Sequence, residues 1–208
     1  MKHTLRHTLL FAALMLATNM ALVAQPGVQY VGIPSEQMNY YSASQTNSQW
    51  CWAASIQMVL NYYGVDIDQP QIVQRTYGTD DFGNLPNWPG SFQAIHRNLN
   101  NWNIDSRGRY RVVANIGMGA PTPRTLVQEL SQGHPVIIGY KTGRNSGHAV
   151  VITAVSYSQT PQGPIIHSIV VRDPWPSRRN QSNYGRVEYP GAVLANNIQA
   201  YWYVRVGR

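Results

Sequence analysis

Cys51 is the only cysteine in the sequence, and it lies in the segment Gln-Trp-Cys-Trp-Ala-Ala-Ser at residues 49–55. Without an internal disulfide partner, such a cysteine pairs with another molecule, stays inert in the core or acts as a reactive thiol. The residues that follow have a helical pattern, which predicts that the sulfur lies in the first turn of a helix. Free N–H groups and the helix dipole favour negative charge there, and therefore the thiolate that attacks carbonyl carbon.

Four histidines are candidates for the base that activates this thiol, namely His96, His134, His148 and His167. His148 follows a glycine and opens a strand-like run, so we expect it at the rim of a sheet, where it can reach a facing helix end. His134 follows a helix-stop glycine and is expected in a turn. His96 and His167 lie within a helical and a strand pattern. These positions favour His148 as the base.

Asp173 is the candidate for the group that orients the base. Two strand-like runs on either side of a turn at residues 159–164 predict a hairpin centred near residue 161. In that register residue 148 faces residue 173 or 174. Asp173 could therefore accept a hydrogen bond from one ring nitrogen of His148 and leave the other nitrogen for the thiol. The alternative is that Asp173 only starts a turn before the proline that follows it.

Acyl transfer also needs hydrogen-bond donors for the oxyanion that develops on the substrate carbonyl. Gln45 precedes Cys51 by six residues, which is far enough for the chain to turn back over the sulfur. Gln49 is closer in sequence, and a side chain two residues away tends to point elsewhere. The backbone N–H of Cys51 is a second donor. We therefore predict Gln45 and this N–H as the oxyanion donors, with a solvated loop position for Gln45 as the alternative.

Helical patterns dominate the first half of the chain, and strand patterns dominate the second half. This order predicts an α+β domain, in which N-terminal helices pack on a C-terminal antiparallel β-sheet and the nucleophile lies at a helix N-terminus. The predicted helices are 51–63, 69–76, 91–101 and 123–132, and the predicted strands are 110–114, 135–140, 148–157, 165–172 and 201–206.

The candidate residues resemble, in this order, those of papain-like cysteine peptidases. The matching pieces are Gln45, Cys-Trp-Ala-Ala-Ser at 51–55, Gly147-His148 and Asp173-Pro174, and they span most of the chain. The resemblance is greatest to the bacterial C39-like subgroup, which is related to bacteriocin-leader peptidases, and to the C70-like subgroup of secreted effector proteases. Gly-His-Pro-Val-Ile at 133–137 also resembles the strand that precedes the histidine-bearing strand in the C39-like subgroup.

The resemblance implies a papain-like fold and a role for each residue. By it, Cys51 is the nucleophile and His148 the general base and acid. It likewise makes Asp173 the orienting residue and Gln45 the oxyanion donor. The implied reaction is hydrolysis of peptide bonds through a thioester, with a protein or peptide as substrate and no cofactor. Papain has asparagine where this chain has Asp173, a difference that the C39-like group tolerates.

Two other kinds of function remain open on the sequence alone. The same three residues would serve a peptidoglycan amidase or endopeptidase acting on cell-wall peptide, a deamidase or a transglutaminase-like enzyme. A non-catalytic binding protein on a peptidase fold is the other alternative. An ordinary, unreactive thiol at Cys51 would support that last reading.

Residues 1–24 have the order of a secretory signal peptide, with a basic start, an apolar stretch and Ala24 before the cut, or Ala21 as an alternative. The apolar stretch is short and interrupted for a membrane span, so no stable membrane association is expected after cleavage. The predicted organisation is a signal peptide over 1–24, an extended lead-in over 25–44 and the peptidase domain over 45–208. The protein is expected to be secreted or periplasmic.

The composition, 43% hydrophobic and 12% charged, is that of a globular domain. The formal net charge of +7 comes mainly from scattered arginines, of which only Arg178 and Arg179 are adjacent, so no nucleic-acid partner is predicted. No histidine or cysteine pair of the predicted domain has zinc-ligand spacing, and no phosphate-binding loop is present, so we expect neither a metal nor a cofactor. The oligomeric state remains open.

Overall fold

The computed structural model describes residues 27–102, 110–144 and 146–207, and the predicted signal peptide over 1–24 lies outside these ranges. Seven helices and seven strands form within the described ranges. The helices are α1 (Ser35–Tyr40), α2 (Cys51–Tyr62), α3 (Gln69–Tyr77), α4 (Phe92–Leu99), α5 (Pro123–Ser131), α6 (Arg178–Ser182) and α7 (Gly191–Ala195). The strands are β1 (Gln29–Gly32), β2 (Arg111–Met118), β3 (Val136–Lys141), β4 (Gly147–Thr160), β5 (Gly163–Arg172), β6 (Arg186–Pro190) and β7 (Ile198–Gly207).

These strands join one antiparallel sheet. They run in the order β2-β7-β3-β4-β5-β6, and β1 pairs with the part of β4 that lies beyond β3. In the β4–β5 hairpin, Thr160 lies opposite Gly163 and Val151 lies opposite Arg172. The hairpin is therefore centred between residues 161 and 162, within one residue of the predicted centre.

Strands β3 and β4 are buried on both faces, which explains their continuous apolar runs. Ile137 and Val151 belong to the core formed with α2, α3 and α4. Their sequence neighbours Ile138 and Val150 belong to a second core, to which α5 and α7 contribute. Neighbouring residues face opposite cores because side chains alternate between the two faces of a strand. The sheet therefore lies between two layers of helices.

Side-chain caps begin α3, α4, α5 and α6, whereas α1, α2 and α7 have none, and the case of α2 concerns the site. Asp68 accepts the N–H of Gln71 in a capping box at the start of α3, and Ser91 and Thr122 cap α4 and α5. The N-cap of α2 is Trp50, which provides no side-chain hydrogen bond. The first turn of α2 therefore keeps its N–H groups free of a side-chain cap.

The chain before residue 45 differs from the extended lead-in predicted over 25–44. Within its described part, β1 adds to the sheet and α1 is a helix. The reason lies in Arg172, which is 1% exposed and donates to Asn39 Oδ1 and Ser35 O at 2.6 and 3.0 Å. A buried guanidinium needs such acceptors, and α1 supplies them.

The structure confirms the α+β class, with helices packed on an antiparallel sheet and Cys51 at the start of α2. The four predicted helices and five predicted strands are all present, with differences at their ends. Three short elements that the sequence did not predict, α6, β6 and α7, lie between residues 178 and 195. The first of them lies next to the site.

Candidate active site

Cys51 is the first residue of α2, and its side chain is half-buried. The free N–H groups and the positive end of the helix dipole lie at the sulfur. The flanking Trp50 and Trp52 are 3% and 1% exposed, so both belong to the core. Their indole N–H groups donate to Pro86 O at 3.0 Å and Trp88 O at 3.1 Å. These two bonds hold the loop before α4 beside the nucleophile.

His148 is the second residue of β4 and lies opposite Tyr140 of β3. Its Nε2 lies 2.7 Å from Asp173 Oδ1, and Cys51 is the other polar group that acts on its imidazole. Because Asp173 occupies Nε2, the nitrogen available to the thiol is Nδ1. The rings of Tyr140 and Trp175 pack edge-on to the imidazole, with centroids at 5.9 and 6.4 Å. The imidazole is thus fixed between a carboxyl group, a thiol and two aromatic rings.

The surroundings of His148 stabilise its protonated form. Burial by itself lowers the pKa of His148, but the hydrogen bonds to Asp173 and Cys51 and the negative charges of these two groups outweigh it. Together they raise the pKa of His148 from its ordinary value to about 9. The imidazole therefore keeps its proton through neutral pH. A thiolate in contact with an imidazolium is an activated nucleophile.

Asp173 follows directly on β5, and both His148 and the backbone hydrogen-bond to its carboxyl group. Its Oδ1 accepts the N–H of Trp175 at 2.8 Å, and its own N–H donates to Gly185 O at 2.7 Å. Burial raises the pKa of Asp173, but the hydrogen bond and positive charge of His148 hold it below its ordinary value. Asp173 is therefore a carboxylate at neutral pH.

Gln45 lies beside the site, but its side-chain amide is turned toward its own loop. It is 5% exposed, and its Nε2 lies 2.9 Å from both Asn47 O and Ser48 O. One hydrogen to each carbonyl leaves none for a substrate in this conformation. The main-chain N–H of Gln45 donates to Pro174 O at 2.8 Å, which ties its loop to the segment carrying the site carboxylate. The oxyanion role of Gln45 stays a prediction.

A cleft of about 170 Å³ connects the thiol and the imidazole. The exposed side chains of Gln49 and Gln199 form part of its rim. Residue 90 must be glycine there, because a Cβ would lie 2.5 Å from the Trp52 ring. The cleft is lined by Gln49, Cys51, Trp52, Pro89, Gly90, Phe92, Ile95, Gly139, Tyr140, Gly147, His148, Ala149 and Gln199.

Gln69 is a buried residue of the site region that no sequence pattern indicated. It is 3% exposed, and its Oε1 accepts the N–H and hydroxyl of Thr46 at 2.9 and 3.2 Å. Its Nε2 donates to Ser44 O at 2.9 Å and to Gln57 Oε1 at 3.0 Å. Gln69 thereby holds the residues on both sides of Gln45. Its partners in that loop are 23 and 25 residues away, so no local pattern could reveal the contact.

Tyr140 and Asn180 also lie at the site without having been predicted. Tyr140 lines the cleft, and burial together with a hydrogen bond to Tyr189 raises the pKa of Tyr140, so its phenol stays neutral. Its position opposite His148 could have been found by pairing the two predicted strands. Asn180 is 8% exposed and donates to Trp175 O at 3.1 Å. It lies in α6, which is too short to leave a periodic pattern.

Within the described ranges, no group of three or more His, Cys, Asp and Glu side chains could hold a metal ion. No helix in those ranges has the length and hydropathy needed to cross a bilayer. The absence of a cofactor stays a prediction from the sequence.

Comparison with known proteins identifies the family of the chain. None of the curated proteins matches its sequence. The peptidase domain of Streptococcus ComA, a bifunctional ABC transporter involved in a quorum sensing pathway, is 13% identical with a TM-score of 0.49, and the match covers 79% of this chain and 97% of that one. A double glycine motif protease from an AMS/PCAT transporter, solved with a leader peptide, is 16% identical with a TM-score of 0.47, covering 88% and 94%. Neither likeness is large enough to carry a substrate over to this chain. The model of the Peptidase_C39-like family matches residues 35–206, so this chain belongs to the Peptidase_C39-like family and is a papain-like cysteine peptidase.

Proposed function

We propose that this peptidase hydrolyses peptide bonds of a protein or peptide with Cys51 as nucleophile, His148 as general acid and base, and Asp173 as the group that orients His148. The observation that carries the proposal is one imidazole held between a carboxylate and a thiol, with Nε2 at 2.7 Å from Asp173 Oδ1 and Nδ1 left for Cys51. Membership of the peptidase family supports the reaction type. The cleft beside the sulfur supports access by a substrate.

The first half of the reaction is acylation of the sulfur. The Cys51 thiolate attacks the carbonyl carbon of the scissile bond and forms a tetrahedral oxyanion. As this intermediate collapses, the C–N bond breaks and the imidazolium of His148 gives its Nδ1 proton to the leaving amine. The products are a free amine, a thioester on Cys51 and a neutral imidazole.

The second half is hydrolysis of the thioester. Neutral His148 takes a proton from a water molecule, whose oxygen attacks the thioester carbonyl carbon. The C–S bond then breaks, releasing the carboxylic acid and restoring the thiolate beside the imidazolium. Asp173 keeps the ring oriented and balances its positive charge in both halves, without taking the proton itself.

The oxyanion of both tetrahedral intermediates needs donors that are in place before the reaction. The Cys51 N–H at the uncapped start of α2 is one proposed donor. The Gln45 amide is the other. To act, Gln45 must release one N–H from Asn47 O or Ser48 O, or share one hydrogen between the two carbonyls. The position of its loop beside α2 supports this role.

We also propose that residues 1–24 are a signal peptide and that the peptidase works outside the cytoplasm, as a secreted or periplasmic protein. The support is the order of a basic start, an apolar stretch and Ala24. Expression of the full chain in a bacterial host, followed by fractionation and mass measurement of the N-terminus, tests this. We expect a mature chain in the exported fraction that begins at Gln25, or at Leu22 after the alternative cut. An uncut cytoplasmic chain would contradict the proposal.

Alkylation of Cys51 by iodoacetamide tests the site without a known substrate. We expect His148→Ala to slow alkylation near pH 7 by about tenfold or more, because the thiolate loses its imidazolium partner. The matched control is His167→Ala, whose imidazole lies on the exposed β4–β5 hairpin and hydrogen-bonds to Ser158 at 2.7 Å. This control should alkylate at the normal rate. Equal rates in all three proteins would overturn the Cys51–His148 pair.

Hydrolysis of fluorescein-labelled casein tests the peptidase activity itself. We expect release of fluorescent peptides by the normal protein and none by Cys51→Ala. Fast alkylation that depends on His148, without hydrolysis of casein or of a peptide library, would instead favour another acyl-transfer reaction at the same site. Slow alkylation together with no hydrolysis would favour a binding protein.

A further inference from the structure

A small polar cavity of about 120 Å³ adjoins Asp173, separate from the cleft that holds the thiol and the imidazole. Asn180, Gln181 and residues 42–44 are among its walls. A cavity of this size and polarity has room for water. Water here could compete with His148 for the carboxylate of Asp173, so the protein needs a group that holds this carboxylate in place.

Asn180 closes a set of hydrogen bonds around Asp173. Its Nδ2 donates to Trp175 O at 3.1 Å, and the N–H of Trp175 donates to Asp173 Oδ1 at 2.8 Å. On the other side, Asn180 O accepts the N–H of Gly185 at 2.6 Å, and Gly185 O accepts the N–H of Asp173 at 2.7 Å. Asn180 therefore contacts both neighbours that fix the backbone and the carboxylate of Asp173.

The side-chain amide of Asn180 also affects the charge of the carboxylate. Burial raises the pKa of Asp173, whereas His148, the Trp175 N–H and the Asn180 side chain lower it. At 8% exposure Asn180 is itself buried, so its amide offers a fixed dipole that needs no reorganisation. Asn180 thus favours the charged form that His148 requires.

We propose that Asn180 is a positioning residue of this peptidase, which acts on His148 through Asp173 and keeps water in the adjoining cavity from displacing the imidazole. The inference rests on the proposed roles of Cys51, His148 and Asp173. Asn180 touches none of the reacting atoms. Its effect is on the hydrogen bond between His148 and Asp173, and therefore on how strongly the protonated imidazole is stabilised.

The matched pair of variants is Asn180→Ala and Asn183→Ala. The Asn183 side chain is exposed at the end of the same short helix and donates only to Arg186 O, at 2.9 Å. Both variants perturb α6 and its turn, but only the first removes the side-chain amide that bonds to Trp175 O beside Asp173, while the main-chain bond of Asn180 to Gly185 stays in both. The ionisable groups facing His148 are Cys51 on α2, Tyr140 on β3 and Asp173 after β5, and neither variant changes them.

The readout is the pH dependence of Cys51 alkylation by iodoacetamide, measured on the full mature protein. The alkaline limb of this pH profile is the range in which the imidazolium of His148 loses its proton. We expect Asn180→Ala to move this limb to lower pH by about half a unit or more. We expect Asn183→Ala to leave that limb in place, even if both variants lose thermal stability. With a cleavable substrate, Asn180→Ala should lower kcat more than it changes KM. An alkaline limb at the normal pH in Asn180→Ala would overturn the inference.

A second measurement needs no variant and so covers the case in which Asn180→Ala does not fold. In the normal protein, the side-chain amide resonance of Asn180 should shift as His148 titrates near pH 9, because Asp173 links the two groups. A resonance that stays constant through this titration would overturn the inference. If instead the normal protein and His148→Ala alkylate alike, it is the proposed function that fails.

Discussion

At the scale of single residues, the proposed chemistry depends on His148, because two groups of negative charge act on one imidazole. Asp173 is a carboxylate held below its ordinary pKa, and Cys51 in its thiolate form is the second negative group. Both favour the protonated ring, and burial opposes it. The pKa of His148 at about 9 is the balance of these effects.

Asp173→Asn tests the charge of the carboxylate while keeping an oxygen for His148. The pKa of His148 is raised above its ordinary value in the folded protein, so the imidazolium is present at neutral pH and is lost as the pH rises through about 9. Without the charge of Asp173 this pKa falls, and the alkaline limb of Cys51 alkylation should move to lower pH by about one unit or more. Alkylation rates from about pH 6 to pH 10 measure the shift.

The control for that variant is Asp80→Asn. Asp80 is also a carboxylate whose pKa is lowered, through hydrogen bonds from Asn84, but it lies on an exposed loop outside the lining of the thiol cleft. Its neutralisation should leave the alkaline limb unchanged. A limb that stays in place in Asp173→Asn, or moves equally in Asp80→Asn, would show that Asp173 does not hold the charge of His148.

Gln45→Ala tests the oxyanion donor. We expect kcat to fall by about 10²–10³-fold with little change in KM, because a donor to the oxyanion acts mainly in the transition state. Gln49→Ala is the control, since Gln49 is an exposed glutamine on the rim of the same cleft, and we expect its kcat to change little. A normal kcat in Gln45→Ala, accompanied only by lower stability, would show that its amide serves the loop carbonyls of Asn47 and Ser48 and nothing else.

The sequence predicted which candidate site residues lie close together, but not the side-chain orientation of all of them. Cys51 and His148 were predicted at a helix start and a strand start, and the structure has them at the starts of α2 and β4. Asp173 was predicted from a hairpin centred near residue 161, and the observed centre lies between residues 161 and 162, which still brings Asp173 to His148. The orientation of Gln45 could not be predicted, since it depends on which backbone carbonyls its amide meets. Gln69 could not be predicted either, because its contacts are long-range.

At the scale of elements, the turn after α6 supports Asp173 by packing against its main chain. Tyr184 and Gly185 both have positive φ, at 53° and 70°. A Cβ at Gly185 would lie 2.6 Å from Asp173 O, so glycine is required for close approach as well as for backbone conformation. Arg172 adds a hydrogen bond to Tyr184 O at 3.1 Å. The position of Asp173 thus depends on a turn in which residue 185 must be glycine.

Gly185→Ala should therefore cost more than a glycine substitution at an open turn. The control is Gly78→Ala, because Gly78 has a φ of 73° but no heavy atom within 4 Å of its ideal Cβ. We expect Gly78→Ala to lower the free energy of unfolding by about 1 kcal/mol from its backbone conformation alone. Gly185→Ala should lower it further and also slow alkylation of Cys51 at neutral pH. Equal unfolding free energies in urea, with equal alkylation rates, would contradict this role of the turn.

The elements that were predicted and those that were missed differ in how they are buried. β3 and β4 are covered on both faces, so their apolar runs are continuous and easy to recognise. α6 and α7 have five residues each, too few for a helical period, and β6 at the edge of the sheet alternates between partly buried and exposed residues. β6 and α7 form contacts with β5, and α6 bonds to Trp175 in the segment after β5, and local sequence does not contain these contacts.

At the scale of the whole molecule, the sheet is covered by two layers of helices. The N-terminal segment, residues 27–44, adds one strand and one helix to this structure. β1 extends the sheet beside β4, and α1 buries Met38 completely. The same helix supplies the acceptors of Arg172, the residue directly before Asp173. The N-terminal segment is therefore connected to the site through one buried arginine.

This connection predicts how the stability depends on where the chain begins. A chain starting at residue 35 loses β1 and the buried Ile33, whereas a chain starting at residue 45 also loses the buried Met38 and two acceptors of Arg172, Asn39 Oδ1 and Ser35 O. Relative to a chain starting at residue 27, we expect the unfolding free energy to fall moderately for the first and by about 3 kcal/mol or more for the second, because a large buried side chain and two hydrogen bonds to a charged group are lost as well. Urea unfolding of the three chains measures this order.

Adding Arg172→Met to the shortest chain removes the guanidinium that has lost these two acceptors and should recover part of the loss. If the chain starting at 45 is as stable as that starting at 27, the N-terminal segment is not part of the folded domain.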